Sequence, residues 1–383
     1  MTAPQPRRSP VPRIQDPWQW LRTRWIRLWV LSIVGLFLVP TLLLAVAQRR
    51  YLAAEEEAWE TTLDPSRPDP GLPAIESFDT AHARRVTIGF YMESMEHISL
   101  HDGGWRTILD VWCTWDHDPS DPDFDPFDHL VPINGRIEDS MLLRERHADG
   151  VHYVHRRLDI EFNRTFRVVN FPFDRHLLLA SFENSRHPRD ELVFLPDEAS
   201  SAVSRRATTV GYGIDRFHAV ENPHSYQTSR GWPGVPAEQR GTWSQPRFAI
   251  EIVRRGWGQF LLMFQALFVA VAVALLSCFI KPIHVDPRFG LGVGALFAAV
   301  ANGYLVGAQM PENGEFSLAD LINLLGIGTI FITLAQSTIS LWIYETRDDP
   351  GLSRHFDRVS FWTVLACFAV CLATLLAGAV TRV

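Results

Sequence analysis

Two groups of side chains have types and spacing suited to binding a metal. Asp121, Asp123 and Asp125 alternate with other residues in a proline-containing segment, and carboxylate oxygens are the ligands that Ca²⁺ requires. The segment lacks the glycine and the distal glutamate of an EF-hand, so a calcium site of another kind and a solvated acidic turn are both open. His152 and His155 are a candidate zinc pair, but side chains three positions apart on a strand point to opposite faces.

The chain contains no motif typical of an enzyme active site. A nucleophile elbow, a phosphate-binding loop and a paired acid and base are all missing from the sequence. The formal net charge of −7 argues against a nucleic-acid partner, because such a partner requires a basic surface that neutralises phosphates. We therefore expect a protein that is not an enzyme, does not bind nucleic acid and has no cofactor other than the Ca²⁺ considered above.

The chain as a whole divides into apolar and polar stretches. Five stretches of 21 to 25 residues contain no Asp, Glu, Lys or Arg and are rich in Leu, Val, Phe, Ala and Ile. A helix rises about 1.5 Å per residue, so each stretch can cross a hydrocarbon core of roughly 30 Å. The sequence thus predicts a multi-pass protein of the lipid bilayer, with crossings at residues 28–48, 256–280, 289–311, 321–344 and 359–381.

The distribution of arginine predicts the orientation in the membrane. Residues 1–27 contain six arginines and one acidic residue, and cytoplasmic segments retain Lys and Arg. We expect residues 1–27 in the cytoplasm, residues 28–48 as an N-terminal anchor, and the following polar block on the periplasmic or extracellular side of a bacterial inner membrane. Ala45-Val46-Ala47 resembles a signal-peptidase site, so cleavage of this segment as a signal peptide is the alternative.

The polar block after the first crossing is predicted to form β-strands. Apolar and polar side chains alternate at residues 86–90, 158–162 and 248–253, which is the period of a strand with one buried face. Gly and Pro residues separate these runs, and no long helical period occurs in the block. We expect an α+β fold with a stalk or short helix and linker at 49–80, an antiparallel β-sandwich at 81–255 and a membrane domain at 256–383.

Phe171-Pro172-Phe173-Asp174 is a short motif inside the polar block. It resembles the aromatic-Pro-Phe-Asp sequence at the centre of the signature loop of the pentameric ligand-gated ion channels, also called Cys-loop receptors. Proline there restricts the backbone to a rigid turn. Where animal members have bridging cysteines this chain has Arg164 and Leu178, so the resemblance is to bacterial-type members without the loop disulfide.

Three further matches occur in the family's order, so the resemblance covers roughly residues 84–380. They are Val111 to Asp116, similar to the tryptophan-bearing second strand; Arg254-Arg255, similar to the basic pair before the first family helix; and Leu305 to Asp320, similar to the end of the pore helix and the loop after it. The resemblance implies a homopentamer, with a heteropentamer as the alternative. It also implies that a ligand-binding sandwich precedes a four-helix transmembrane bundle, with helices at about 257–280, 288–310, 319–343 and 359–380.

The resemblance further implies a coupling loop and a pore. Phe171, Pro172, Phe173 and Asp174 form the loop, and Asp174 is expected to pair with Arg254 or Arg255. The helix at about 287–311 lines the pore, with Phe297 as a hydrophobic gate and Asp286 as a ring that concentrates cations at the inner mouth. The expected pore-lining residues are Asp286, Arg288, Gly290, Gly294, Phe297, Ala301, Tyr304 and Ala308.

The sequence of the expected pore helix departs from the family pattern and contains one amide side chain that needs a hydrogen-bond partner. The predicted pore face has no Ser or Thr toward its inner end, and Arg288 would oppose the cation ring. Asn302 is expected to turn toward a neighbouring helix, where a hydrogen bond would satisfy it. The small residues Gly292, Ala295, Ala298 and Ala299 are expected to permit close contacts between the helices of the pentamer.

The family binds its agonists in aromatic cages between subunits, which attract amines through cation–π contacts. The resemblance therefore implies an unknown small-molecule ligand and a cage drawn from Trp112, Trp115, Tyr212, Phe217, Tyr226 and Trp232. The function it implies is a ligand-gated ion channel in the bacterial inner membrane. The alternative is a receptor or scaffold of the same fold that senses a ligand without conducting ions.

Overall fold

The structure of the protein, a computed structural model, describes residues 19–67, 80–207, 211–231, 241–310, 315–347 and 349–380. β-Sheets occupy the N-terminal half of the chain, and long apolar helices occupy the C-terminal half. One further long helix, α1 (Gln19–Leu63), precedes the first strand. The α+β composition that the sequence predicts is therefore confirmed at this level.

The first sheet has the strand order β4 (Gly135–Ala148), β5 (Val151–Asn163), β2 (Gly104–Asp116), β1 (Arg84–Ser99) and β7 (Leu192–Pro196), and β8 (Ala202–Val203) also pairs with β1. The four long strands pair antiparallel, whereas β7 and β8 run parallel to β1. A wholly antiparallel arrangement is therefore wrong for these two short strands. β7 follows a strand of the other sheet, so no hairpin forces it to be antiparallel.

The second sheet has four antiparallel strands in the order β3 (Leu130–Pro132), β6 (Arg175–Asn184), β12 (Pro246–Arg254) and β9 (Tyr212–Glu221). A separate two-stranded ribbon joins β10 (His224–Ser225) to β11 (Thr242–Trp243). The ribbon lies in the long connection between β9 and β12. That connection is therefore held together at its base by backbone hydrogen bonds.

Aromatic side chains from both sheets meet in one core. Phe90 of β1 stacks on Phe248 of β12 with ring centroids 4.8 Å apart and on Phe217 of β9 at 5.9 Å. Phe162 of β5 contacts Phe182 of β6 edge to face. Burial of such a side chain stabilises the fold by roughly 1.5–3 kcal/mol. The alternating pattern in the sequence identifies these inward positions because successive strand residues face opposite sides.

Four helices follow the sheets. They are α2 (Gly256–Leu276), α3 (Val285–Gly307), α4 (Leu318–Arg347) and α5 (Pro350–Val380), with a 3₁₀ turn at Ser277–Phe279 after α2. In the described part of the chain, five helices including α1 have the length and composition needed to cross a membrane. These are the properties of a membrane protein, as the sequence predicts.

Two helix boundaries differ from the prediction. α5 begins at Pro350 and not near residue 359, because Asp349 caps it by accepting from the backbone N–H groups of Gly351 at 3.1 Å and Leu352 at 3.0 Å. α1 continues through the predicted stalk as far as Leu63. The residues after the apolar run, from Arg49 onward, therefore extend the same helix.

The chain divides into two compact units. The helical unit contains residues 1–43, 268–299 and 325–374, and the sheet unit contains residues 44–267, 300–324 and 375–383. Both sheets, the last part of α1 and the start of α2 and α4 therefore belong to the sheet unit.

Candidate functional site

Asp174 is the centre of a buried hydrogen-bonded cluster in the sheet unit. Its carboxylate accepts from Arg254 at the end of β12, over 2.6 Å from Nε to Oδ1 and 3.2 Å from Nη2 to Oδ2. His176 Nε2 lies 2.6 Å from Oδ2, and the Tyr212 hydroxyl donates to the same oxygen over 3.2 Å. The antiparallel register sets Arg254 opposite Tyr212. We refer to Asp174, His176, Tyr212 and Arg254 as the Asp174 cluster.

The electrostatics of the cluster favour a charged carboxylate. Burial by itself raises the pKa of Asp174, but the hydrogen bond and charge of His176 and the charge of Arg254 outweigh it and hold that pKa well below its usual range. Burial and the nearby carboxylate raise the pKa of Tyr212, so its hydroxyl keeps its proton. Removing one partner of such a buried ion pair destabilises a protein by about 3–5 kcal/mol, because the other charge is left uncompensated.

The rest of the predicted coupling group surrounds this ion pair. The Arg254 guanidinium lies over the Phe171 ring at 4.9 Å, and Phe171 and Pro172 are buried and joined by a cis peptide bond. Arg255 takes no part in the pair, and its backbone N–H donates to the carbonyl of Gly211 at 2.9 Å. Of the two arginines that the sequence offered, the structure therefore pairs Arg254 with Asp174.

The segment before Asp174 contacts the beginnings of two long helices. The backbone N–H of Leu318, at the start of α4, donates to the carbonyl of Val169 over 2.8 Å. The Phe173 ring packs against Trp257 and Phe260 of α2, with centroids 5.1 and 5.7 Å apart. One short segment thus contacts the end of β12, the start of α2 and the start of α4.

The C-terminal part of α1 contacts the segment that ends in Asp174 and the residues just before α4. Gln48 Nε2 donates to Asn170 Oδ1 over 3.0 Å. The Tyr51 hydroxyl donates to Glu315 over 2.8 Å, and this hydrogen bond raises the pKa of Tyr51. Sequence reasoning missed these contacts, because the polar residues after the apolar run carry no motif. The one available signal was that run's continuation into a helix-forming stretch.

A second polar cluster lies in the connection between β9 and β12. The buried carboxylate of Glu183 accepts from the Tyr226 hydroxyl at 2.9 Å and from Gln245 Nε2 at 2.8 Å. The Trp243 ring packs edge to face on Tyr226 at 5.1 Å, and the Arg230 guanidinium lies 4.3 Å over the Tyr226 ring. Burial raises the pKa of Glu183. We call these five residues the Glu183 cluster.

The Glu183 cluster has the chemistry of a cation site that an arginine of the same chain occupies. Two aromatic faces and a buried carboxylate surround a guanidinium, which lies 3.7 Å from Glu183. Only Tyr226 of this cluster was predicted. Glu183 and Arg230 are distant in sequence from each other and from the neighbouring Trp243 and Gln245, and no local pattern marks the group.

The other described candidates for the ligand cage have other neighbours within the chain, and the cage between subunits stays a prediction. Trp112 donates to Asp197 at 3.2 Å, and Trp115 stacks on His152 at 5.3 Å. Phe217 belongs to the core between the sheets, and Tyr212 belongs to the Asp174 cluster. Trp232 lies outside the described residues. Aromatic residue type alone did not distinguish core positions from site positions.

Two of the three predicted metal positions form ion pairs within the chain. Asp121 pairs with Arg84 at 3.2 Å, and Asp125 pairs with Arg156 at 3.3 Å while capping a 3₁₀ turn. In the described parts of the chain no three His, Cys, Asp or Glu residues could hold a metal together. Asp121 and Asp125 are therefore ion-paired within the chain, and the calcium site considered from the sequence stays a prediction.

The two candidate zinc histidines contact different neighbours, because side chains three positions apart on a strand point to opposite faces. His152 lies 2.8 Å from His117, whereas His155 lies 3.4 Å from Asp110.

Most of the predicted pore face of α3 is exposed in the single chain. Phe297 and Tyr304 are 73% and 77% exposed. A Cβ atom added at Gly290 or Gly294 would meet no atom within 4 Å outside the adjacent backbone of its own helix. Asp286, Ala301 and Ala308 are exposed as well. A stripe of one helix is therefore left largely uncovered by the described part of its own chain.

Arg288 is the exception, and its prediction as a pore-lining residue is wrong. It is fully buried in the helical unit, where it donates to Asp357 of α5 at 2.7 and 3.2 Å and to the carbonyl of Ile280 at 3.2 Å. Gln336 of α4 also hydrogen bonds to Asp357. A buried guanidinium requires an acid, and Asp357 provides it within the same chain.

The small residues of α3 pack mainly inside the chain. Ala295 and Ala299 are buried, and the Gly292 backbone lies against Leu334 of α4. The expectation that they mediate contacts between subunits is wrong for these three, while Ala298 is exposed. Asn302 is buried as expected, but its Nδ2 has no hydrogen-bond partner within the described residues.

Comparison with known proteins finds no family model and no curated protein that matches this chain.

Proposed function

We propose that the chain is a subunit of a homopentameric, ligand-gated channel-like protein of the bacterial inner membrane. The observation that carries this proposal is the segment that ends in Asp174. It is fixed by a buried ion pair to the last strand of a sheet, and it contacts the starts of α2 and α4 directly. A change in the sheets can therefore reach two membrane-type helices through one short segment.

The proposed architecture is a ligand-binding β-sandwich, made by the two sheets on the periplasmic side, followed by a bundle of α2 to α5. α1 adds an N-terminal anchor. The shared aromatic core of the two sheets supports the sandwich, and the arginine-rich residues 1–27 support the orientation. The Glu183 cluster is the proposed ligand region, because an amine could replace Arg230 between Tyr226 and Trp243.

The proposed ion pathway runs along the exposed stripe of α3. Five copies of this stripe around an axis would bring Phe297 together as a hydrophobic constriction and Asp286 as a ring of five carboxylates. Burial of Arg288 against Asp357 supports a cation preference, since it removes the positive charge that would oppose that ring. The small Gly290 and Gly294 leave space along the pathway between the ring and the constriction.

A non-conducting receptor is the second candidate, and one specific observation favours it. The exposed stripe has no Ser or Thr to replace the hydration of an ion. In this case the Asp174 segment would transmit a signal between sheets and helices without opening a pore. Both candidates require the same assembly, so assembly alone does not separate them.

Native mass spectrometry of the detergent-purified protein tests the shared part of the proposal. We expect a mass of five chains of 43.5 kDa each. Gly294→Trp is a matched probe, because a bulky side chain at a position that is open in the single chain should disturb only the assembled ring. A protein that is monomeric or dimeric under all mild detergents tried would contradict the proposal.

A further inference from the structure

The C-terminal part of α1 covers a cavity on the second sheet. Residues Leu52, Glu55, Trp59 and Leu63 are spaced three or four positions apart, so they share one face of the helix and line one wall. The cavity has a volume of ≈ 250 Å³. The opposite wall consists of side chains of β6, β9 and β12, and the floor contains Arg167, Asn170, Phe173 and Asp174.

Most charges around the cavity already have partners. Asp174 is neutralised in its cluster, and Glu251 lies 3.1 Å from Arg175 and 3.6 Å from His218. Arg216 has a weak contact with Asp215 at 3.9 Å. The charges of these side chains are paired within the chain. They do not need a ligand to be stable.

Three charged side chains of the lining, Glu55, Glu60 and Arg167, form no ion pair with a described residue. Glu55 on the helix wall and Arg167 on the floor form no hydrogen bond or ion pair to any residue that the structure describes, and they do not pair with each other. Arg167 contacts the Tyr51 ring at 5.1 Å. Burial raises the pKa of Glu55 against the opposing charges of His176 and Arg167. Glu55 is partly buried, and a partly desolvated charge without a partner is unfavourable, so an ammonium beside it would be stabilising. Arg167 is exposed, and its guanidinium can hold a carboxylate through charge-assisted hydrogen bonds.

Apolar side chains also line the cavity. Leu52, Trp59 and Leu63 from α1 and Phe173 from the floor contribute it. The Trp59 ring is the largest element of this surface. A ligand that fits therefore carries a positive group, a negative group and an apolar part of moderate size.

We propose that this cavity binds a small zwitterion of the amino-acid class, with its ammonium at Glu55, its carboxylate at Arg167 and its apolar side chain against Trp59 and Leu52. The site is distinct from the Glu183 cluster, because none of its lining residues belongs to that cluster. The proposed site lies within one chain, so it does not depend on whether the assembled protein conducts ions. The floor of the site is the segment that ends in Asp174, so occupancy would restrain that segment.

Isothermal titration calorimetry of the detergent-purified full chain tests the proposal. The probes are L-phenylalanine, phenethylamine, which keeps only the amine, and 3-phenylpropionate, which keeps only the acid. We expect L-phenylalanine to bind at least tenfold more tightly than either analogue, since each analogue leaves one charge unpaired. Equal or tighter binding of an analogue overturns the zwitterion class, and no heat from any probe overturns the site.

Five variants locate the binding. Glu55→Gln and Arg167→Gln should each weaken L-phenylalanine binding at least tenfold. Glu57→Gln, exposed on α1 away from the cavity, and Arg205→Gln, exposed in the sheet unit, should leave it unchanged. Tyr226→Phe should also leave it unchanged, which separates this site from the Glu183 cluster. Binding that ignores Glu55 and Arg167 overturns the assignment, provided the variants elute as the wild type does.

A lipid headgroup could present the same pair of charges. O-Phosphoethanolamine in the same titration distinguishes this source. Weaker binding than that of L-phenylalanine supports the amino-acid class, because the apolar walls then contribute. Equal or tighter binding overturns that class.

Discussion

Arg288 and Asp357 are 69 positions apart in the chain, yet Nη2 of the arginine lies 2.7 Å from Oδ1 of the aspartate and both side chains are buried. The pair joins α3 to α5, and Gln336 of α4 binds the same carboxylate. Three helices of the helical unit are therefore fixed around one ion pair. This also turns Arg288 away from the exposed stripe of α3.

Loss of Asp357 should lower the stability of the helical unit. Asp357→Ala leaves the Arg288 charge buried without an acid, and we expect the free energy of unfolding to fall by about 3–5 kcal/mol. Denaturant titration in detergent measures it. Arg358→Ala removes the exposed neighbouring charge and should change stability by less than about 0.5 kcal/mol. Equal effects of the two variants would contradict a structural role for the pair.

Loss of Asp174 should loosen the contact between its segment and α4. Asp174→Ala leaves Arg254 buried and unpaired, so the segment that contains Val169 loses its anchor. We expect faster hydrogen exchange at the amide of Leu318, which donates to Val169, and a smaller effect for Asp174→Asn. The exposed Asp215→Ala is the control. Unchanged exchange at Leu318 in Asp174→Ala would show that the segment is held by other contacts.

The Glu183 cluster should give stability a characteristic pH dependence. Burial raises the folded-state pKa of Glu183 above its ordinary value of about 4.3. The contribution of Glu183 to the free energy of unfolding is therefore fully present below its ordinary pKa. It is lost as pH rises through its folded-state pKa.

A Glu183→Gln variant isolates this effect because its side chain cannot ionise. The free energy of unfolding of this variant, relative to that of the wild type, should increase as pH rises from about 4.5 to about 8. The total increase is roughly 1.4 kcal/mol for each pH unit by which the folded-state pKa of Glu183 exceeds its ordinary pKa. Denaturant titrations at several pH values measure the difference. A difference independent of pH would contradict the prediction, and the exposed Glu198→Gln should show no such trend.

Asp174 should have the opposite dependence. Its folded-state pKa is depressed, so its contribution is present above an ordinary carboxyl pKa of about 4 and is lost as pH falls toward the folded pKa. The two clusters thus predict that acid weakens the Asp174 cluster and favours the Glu183 cluster. The wild type measured alone combines both effects, which is why the Glu183→Gln comparison is needed.

Local periodicity predicted the elements well. The charge-free runs become helices, and alternation at residues 86–90, 158–162 and 248–253 becomes strands, because burial of one face determines both patterns. Boundaries were less accurate, since Asp349 starts α5 through a cap that lies outside the apolar run. Every expected pore-lining position of α3 except Arg288 is exposed in the single chain, and lining of a pore stays a prediction.

Partners distant in sequence could not be predicted in the same way. Nothing near Arg288 indicates that an acid on α5 will neutralise it, and nothing near Tyr51 indicates a hydrogen bond to Glu315. The aromatic residues show the same limitation. Phe217 and Tyr226 lie only nine positions apart, but one packs in the core and the other beside a buried carboxylate.

The current carried by the Phe297→Ala protein in planar lipid bilayers is the sharpest test of the proposed ion pathway. Phenylalanine at this position is the proposed constriction, and its flanking Gly294 and Ala301 are too small to replace it. We predict that Phe297→Ala, assembled as the wild type is, gives a leak current that the wild type lacks without ligand, with a cation preference that Asp286→Asn reduces. The absence of any current from a correctly assembled Phe297→Ala protein would contradict an ion pathway along α3 and favour the non-conducting receptor.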